Sequence, residues 1–464
     1  MFLGREEELR LLEGYYAKKG GQLIILYGRR RTGKTELLRY FCKKKEHVFY
    51  SCTEVTDEQQ LEMFSDRLLR TGMEAGKYIQ SFSDWEQAFS NVKGLPFQKK
   101  LLVIDEFPYM VQKNNSIPSI LQKLWDHDLK NQDVMIILCG SAMSFMEEDI
   151  LAEKNPLYGR ATGILKLLPM SFYEAVQFLP SYRFEEKVEA YAILGGIPHY
   201  LKQFANDASL EENICGQILS RGSILYSEVE FLLRQEMRET ATYNTIIQAV
   251  ALGCTKLNEI SQKTMIESAK LTSYLKNLIS LGIVYKEFSI ETGIKESANV
   301  QRGLYRLTDH FFRFYYAFVF PNLSVLEGGD ERGVWEYVIK PGFSHFVSYA
   351  YENICRQYLF RKNKKRELPG FYTNFGRWWN KTDEMDIVGT GADKKHFIAG
   401  ECKYRGQEME LSDCVHLEEK WERCFGAAER TCYFFSKGGF TDEVRAYAKK
   451  TGAVLVGLEE VVEG

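Results

Sequence analysis

Eight residues, GRRRTGKT at positions 28–35, space two glycines, a lysine and a hydroxyl as G-x-x-x-x-G-K-[ST]. That spacing is suited to holding phosphate. Backbone N–H groups of such a loop and of the helix behind it converge on an anion. Lys34 supplies a compact charge for the β- and γ-phosphates. The Thr35 hydroxyl is placed to hold Mg²⁺, and Gly28 and Gly33 permit close backbone approach. Arg31, Thr32 and Glu36 complete the expected nucleotide-binding set in the loop and the first helical turn.

Hydrolysis needs acids beside such a loop. Asp105 and Glu106 follow the apolar run 101–104, at the end of a strand where ligands of open α/β sheets bind. Asp105 is expected to support Mg²⁺, and Glu106 to orient or deprotonate the attacking water. A third apolar run, 134–139, ends in Gly140-Ser141, so Ser141 is a candidate sensor of the γ-phosphate, with a plain strand-end turn as the alternative. Arg160, in PLYGRATG, could reach a γ-phosphate in cis or in a neighbour, or stay at the surface.

A second constellation lies far along the chain. Asp386 sits in EMDIVG, and Glu401 and Lys403 follow the strand-like HFIAG. Residues i and i+2 of a strand share a face, so a hairpin would bring Asp386 beside Glu401 and Lys403. Two carboxylates and a lysine suit metal-assisted phosphodiester hydrolysis. Glu352, on an amphipathic helix upstream, could complete the metal shell, and the block RKNKKR at 361–366 is strongly basic. A nuclease-like fold whose charges form a buried ion network is the alternative.

These residues need elements to position them. With 464 residues the chain exceeds one ordinary core. The expected parts are a P-loop α/β core with a parallel sheet over 1–165, a helical lid over 166–238, a winged helix-turn-helix over 239–308, a linker helix over 309–329 and an α/β domain over 330–464. In the third part, residues 255–286 carry five lysines and two glutamates. Ser268, Lys270, Thr272, Ser273 and Lys276 could face a major groove or phosphates there, or the helices could serve protein packing. The whole chain has a net charge of −3, so any nucleic-acid contact must be local. Ten cysteines without a C-x-x-C pair read as reduced thiols, and no signal peptide or membrane-spanning run is expected, which points to a cytoplasmic protein without membrane contact.

The set FLGREEEL, LYGRRRTGKTELL, LLVIDEFPYM, CGSAMSFM, PLYGRATG and GGIPHYL resembles the archaeal-type ATPase family, within the AAA+-like and STAND-like P-loop ATPases. The resemblance implies an ASCE-type α/β core with a helical lid, ATP and Mg²⁺ as cofactors, the segment from Phe2 to Arg5 near the base, and Pro198 contacting nucleotide from the lid. The run GRWW…DEMDIVG…GECKYR resembles the PD-(D/E)XK nuclease superfamily, as found in C-terminal domains fused to such ATPases. It implies a restriction-endonuclease-like fold acting on nucleic acid, DNA above all, with Glu352, Asp386 and Glu401 as metal ligands. A homo-oligomer is a further expectation, and a STAND-like signalling switch or an ATPase regulator with an inactive nuclease-like domain is the alternative function.

Overall fold

The computed structural model describes residues 2–237, 239–290 and 303–464. The chain divides into two compact units. One holds Met1–Met170, Ile197–His199 and Ser280–Gly282; the other holds Ser171–Gly196, Tyr200–Ile279 and Ile283–Gly464.

In the first unit, helix α1 (Glu6–Ala17) precedes strand β1 (Gln22–Tyr27), and α2 (Lys34–Cys42) follows it across the glycine loop. Then come β2 (Val48–Ser51), α3 (Asp57–Leu69), β3 (Lys100–Asp105), α4 (Phe107–Lys113), α5 (Ile117–His127), β4 (Val134–Gly140) and β5 (Gly163–Lys166). The strands pair in parallel in the order β2-β3-β4-β1-β5. Every residue of β1 and β4 is buried, which is why both read as continuous apolar runs rather than alternating ones. Alternation survives in how they pack. Leu23, Ile25, Leu102, Ile104, Ile136 and Leu138 join one core; Ile24, Leu26, Leu101, Val103, Met135 and Ile137 join the other. Because the strands are parallel, Tyr27, Asp105 and Gly140 end at one edge.

The second unit begins with segment 171–196, including α6 (Phe184–Leu194). Expected from the sequence as part of a lid, α6 packs on the long helix Phe343–Lys365. Tyr191 of α6 stacks edge-on against His310 at 5.1 Å and takes a hydrogen bond from Gln357 at 3.3 Å. Next come three helices, α7 (Thr240–Ala251), α8 (Leu257–Thr264) and α9 (Ser268–Ser280), and the antiparallel pair β6 (Val284–Glu287) and β7 (Leu304–Leu307). Residues 291–302, between those strands, lie outside the described residues. The expected linker helix is helical but broken. His310–Phe314 is followed by a wider turn over Tyr315–Val319 and a tighter one over Phe320–Asn322. Pro321 there has no N–H to continue the ladder.

The chain closes with α10 (Phe343–Lys365), β8 (Tyr372–Trp379), β9 (Glu384–Gly391), β10 (His396–Lys403), α11 (Leu411–Phe425), β11 (Glu429–Ser436), α12 (Asp442–Thr451), β12 (Val454–Gly457) and α13 (Leu458–Glu463). The sheet order is β12-β11-β10-β9-β8, antiparallel from β8 to β10 and parallel from β10 to β12. Helices cover both faces. Phe434 joins the cluster with Leu417 and Trp421 of α11, while its neighbour Phe435 meets Tyr358 of α10 at 5.9 Å. No helix among the described residues is long and apolar enough to cross a membrane.

Candidate functional site

The parallel sheet delivers the expected residues to one edge. Gly33 precedes α2 with φ +91°, a conformation glycine adopts without strain. A Cβ on Gly28 would lie 2.4 Å from the Leu167 carbonyl oxygen, so no larger residue fits unless the backbone moves. Lys34 is buried, and its Nζ donates to the carbonyls of Gly28 at 2.8 Å and Arg29 at 3.0 Å. Burial holds its pKa below the ordinary lysine value. The Thr35 hydroxyl donates to Asp105 Oδ2 at 2.7 Å, which joins the loop to β3. Asp105 is only 3% exposed. Thr32 is buried and donates to the Arg29 carbonyl, folding the loop on itself. Glu36 lies in the first turn of α2.

Glu106 occupies the left-handed region (φ 52°), a strained conformation for a non-glycine residue and one that clusters at functional sites. Its Oε2 accepts from the Ser141 hydroxyl at 2.7 Å and from the Ser141 N–H at 3.3 Å. The ends of β3 and β4 therefore hold the acid and hydroxyl as a pair. Sequence reasoning missed Cys139, two residues before Ser141 on β4; it is fully buried, and burial together with Asp105 pushes its thiol well up. Its place in an apolar run gave no signal.

Two residues take roles the sequence does not specify. Arg5 is buried with φ 68°, and its guanidinium donates to the Thr32 carbonyl at 3.1 Å and the Leu168 carbonyl at 2.7 Å, so it braces the loop. Phe2 stacks on Tyr40 of α2 at 4.3 Å. Pro198 Cγ lies 3.6 Å from where a Cβ on Gly33 would stand, so the GGIPHYL proline does approach the loop. Arg160 instead pairs with Asp126 of α5 at 3.0 Å. Arg31 adopts φ 71° at the loop apex.

In the second unit, the β9–β10 register pairs Ile387 with Gly400, so the next position sets Asp386 opposite Glu401. Asp386 Oδ2 accepts from the Cys402 N–H at 2.9 Å. Burial, then the neighbouring Glu401 and Glu352 carboxylates, push Asp386 up to about 8. Lys403 Nζ lies 2.6 Å from Glu401 Oε1. Burial alone would lower Lys403, but the Glu401 charge outweighs it and raises its pKa. Lys420 and Asp413 of α11 stand behind this pair, at 3.9 Å from Glu401 and 3.8 Å from Lys403. Glu352 also faces Arg377, whose Nε lies 3.5 Å from its carboxylate, and burial raises its pKa. Arg377 also faces Glu287 of β6 at 3.5 Å and Glu384. Among the described residues no three His, Cys, Asp or Glu side chains gather as a ready metal cage. The Asp386–Glu401 pair nevertheless fits a divalent cation, because two like charges press on one buried carboxyl and a cation would relieve them. Trp378 is buried and packs against Phe425. In α9, Leu271, Leu275 and Leu278 are buried, while Ser268, Lys270, Thr272, Ser273 and Lys276 are all exposed.

Comparison with known proteins agrees with the nucleotide site. A family described as an ATPase domain predominantly from Archaea matches residues 2–204. A second, described as "Archaea bacterial proteins of unknown function", matches residues 315–414. The uncharacterized protein MJECL04 of Methanocaldococcus jannaschii is 33% identical over 406 residues, 87% of this chain and 88% of that one. The uncharacterized ATP-binding protein MJ0423 of the same organism is 50% identical over 46 residues, 10% of this chain and 78% of that one. Among solved structures, the Walker-type ATPase PABY2304 of Pyrococcus abyssi is similar in fold, with a TM-score of 0.50 at 22% identity over 68% of this chain and 96% of that one. A loop that can take phosphate on Lys34, two adjacent acids at the end of β3 and a relative matching nearly end to end converge: this chain is an ATPase, and it belongs to the archaeal ATPase family, with the accompanying domain of unknown function near its C-terminus.

Proposed function

We propose that this ATPase couples its nucleotide state to DNA binding and to metal-dependent cleavage of nucleic acid. Thr35 and Asp105 are the Mg²⁺-supporting pair, and Glu106, poised by Ser141, is the residue that orients or deprotonates the attacking water. Arg5 and Pro198 hold the loop and approach it. Arg160 serves a γ-phosphate only if it leaves Asp126.

The observation that carries the nuclease reading is the pairing of Asp386 with Glu401, with Lys403 on the same face as Glu401 and bonded to it. The order helix, three antiparallel strands, helix, parallel strand supports a restriction-endonuclease-like fold for this part of the chain. Bound between Asp386 and Glu401, Mg²⁺ would supply an activated water and neutralise charge on the phosphodiester. Lys403 is positioned to hold that water or the developing charge. The three helices with an antiparallel strand pair support a winged helix-turn-helix, whose exposed Lys270 and Lys276 suit phosphate contacts.

The test is a cleavage assay on plasmid and single-stranded DNA with Mg²⁺ or Mn²⁺, with and without ATP. Wild type should nick, and Asp386→Ala should abolish nicking while ATP hydrolysis continues. Wild-type protein that hydrolyses ATP but never nicks either substrate overturns the nuclease reading. That outcome favours a second reading, a nucleotide switch with an inactive C-terminal domain. The engagement of Glu352 in the Arg377 ion network supports this second reading.

A further inference from the structure

At the end of α10, an open pocket of about 580 Å³ is lined by Tyr173, Phe360, Arg361, Lys364, Arg366 and Phe371, among others. Five of the six residues at 361–366 are cationic, in a chain whose net charge is −3. Cations at a helix C-terminus are favoured by the helix dipole, and that alone would account for the charges. It does not account for the rings between them. Phe360 is 50% exposed and Phe371 51% exposed, both at the mouth of the same pocket. Arg366 lies over the Phe371 ring at 4.4 Å and Arg361 over the Tyr173 ring at 4.5 Å. Half-exposed aromatic rings alternating with guanidinium and ammonium groups make a surface on which bases stack while phosphates are neutralised.

We propose that this pocket binds single-stranded nucleic acid. A duplex keeps its base faces inside the stack, so only an unpaired strand can use Phe360 and Phe371. The proposal rests on the nucleic-acid reading above and names its substrate class. The pocket is not the cleavage centre. Arg361 is nine residues along α10 from Glu352, about 14 Å at a helical rise of 1.5 Å per residue. Tyr372 pairs with Gly391, five residues along β9 from Asp386, about 17 Å at strand spacing. A strand held here is gripped at the opposite end of the sheet from Asp386 and Glu401, which fixes which segment of a longer strand can reach them.

The experiment measures anisotropy of a fluorescein-labelled oligothymidylate of roughly 20 nucleotides on the full chain, in EDTA, over a range of salt. Phe371→Ala should weaken binding about 5- to 100-fold. Arg361→Gln should reduce the slope of log affinity against log salt by about 0.7. A paired variant of α12, Lys449→Gln with Lys450→Gln, both exposed, should leave oligothymidylate binding unchanged. Phe371 is exposed, so its loss does not threaten the core; circular dichroism confirms the fold of each variant. Affinity within twofold of wild type for Phe371→Ala overturns the proposal. So does equal competition by duplex DNA or by inorganic polyphosphate, which would leave the pocket a general phosphate site. Oligothymidylate binding intact in a protein that never cleaves sinks the nuclease reading alone; cleavage intact with Phe371→Ala binding unchanged sinks the pocket alone.

Discussion

Single residues show where this chain accepts a cost. Glu106 holds a strained backbone and Asp386 a buried carboxyl under two like charges, and both lie in the sites proposed above for chemistry. Glu189 of α6 is a third case, away from either acid pair. It is half-buried and accepts a hydrogen bond from the Tyr404 hydroxyl at 3.2 Å. Burial, then the Glu185 charge, raise it from 4.5 to about 7, with Lys437 and Tyr404 pulling the other way and Glu186 adding to the rise. A carboxyl whose folded pKa is raised binds its proton more tightly in the folded state. Its contribution to stability is therefore full below about 4.5 and is lost as pH climbs through about 7. Glu189→Gln removes that loss. The melting temperature of wild type should fall relative to Glu189→Gln between pH 5 and 7.5 (roughly the span set by those two values). Parallel melting curves across that window would show that the carboxyl stays ionised in the fold.

At the level of elements, the strand pair β6–β7 and the sheet edge β8 are joined by charge. Glu287 of β6 lies 2.6 Å from Arg306, 3.6 Å from Arg356 and 3.5 Å from Arg377, and Arg377 in turn reaches Glu352 of α10. Backbone contacts run alongside: the Ile290 N–H donates to the Arg377 carbonyl at 3.0 Å, and the Trp379 N–H to the Ser289 hydroxyl at 3.2 Å. Removing one member of a buried network leaves uncompensated charge. Arg377→Met should therefore cost about 3–5 kcal/mol in denaturant unfolding, and Glu352→Gln in the same chain should recover part of it. A cost below about 1 kcal/mol would class these pairs with solvent-screened surface bridges. This network also marks the limit of what the sequence reveals. Strand ends were legible because apolar runs of four to six residues stop at Gly28, Asp105 and Gly140, and the hairpin placing Asp386 opposite Glu401 followed from strand periodicity alone. The partners of Arg160 and Glu352 were not legible, since Asp126 lies 34 residues upstream of Arg160 and Arg377 sits on strand β8 while Glu352 is on helix α10. Contacts of that kind leave no period in the chain. The docking of α6 on α10 was hidden for the same reason: amphipathic spacing shows that a helix buries a face, not what covers it.

For the whole molecule, each unit has its own hydrophobic core, and the glycine loop of the first unit is the proposed ATP site. A ligand that binds only the folded state stabilises it by RT ln(1 + [L]/Kd), about 2.7 kcal/mol at a hundredfold excess over Kd. For a unit of this size that corresponds to a rise of roughly 5–10 °C in its melting transition. Calorimetry in Mg²⁺·ATP should show that rise in one transition. Lys34→Ala should abolish it, because the buried ammonium that now donates to Gly28 and Arg29 is the charge placed for the β- and γ-phosphates. Gly28→Ala should abolish it by a different route, since the new Cβ would press the Leu167 carbonyl and displace the loop backbone. Asp386→Asn should leave the shift intact, because its carboxyl belongs to the other unit. A shift that survives Lys34→Ala would mean that ATP binds this chain somewhere other than the glycine loop.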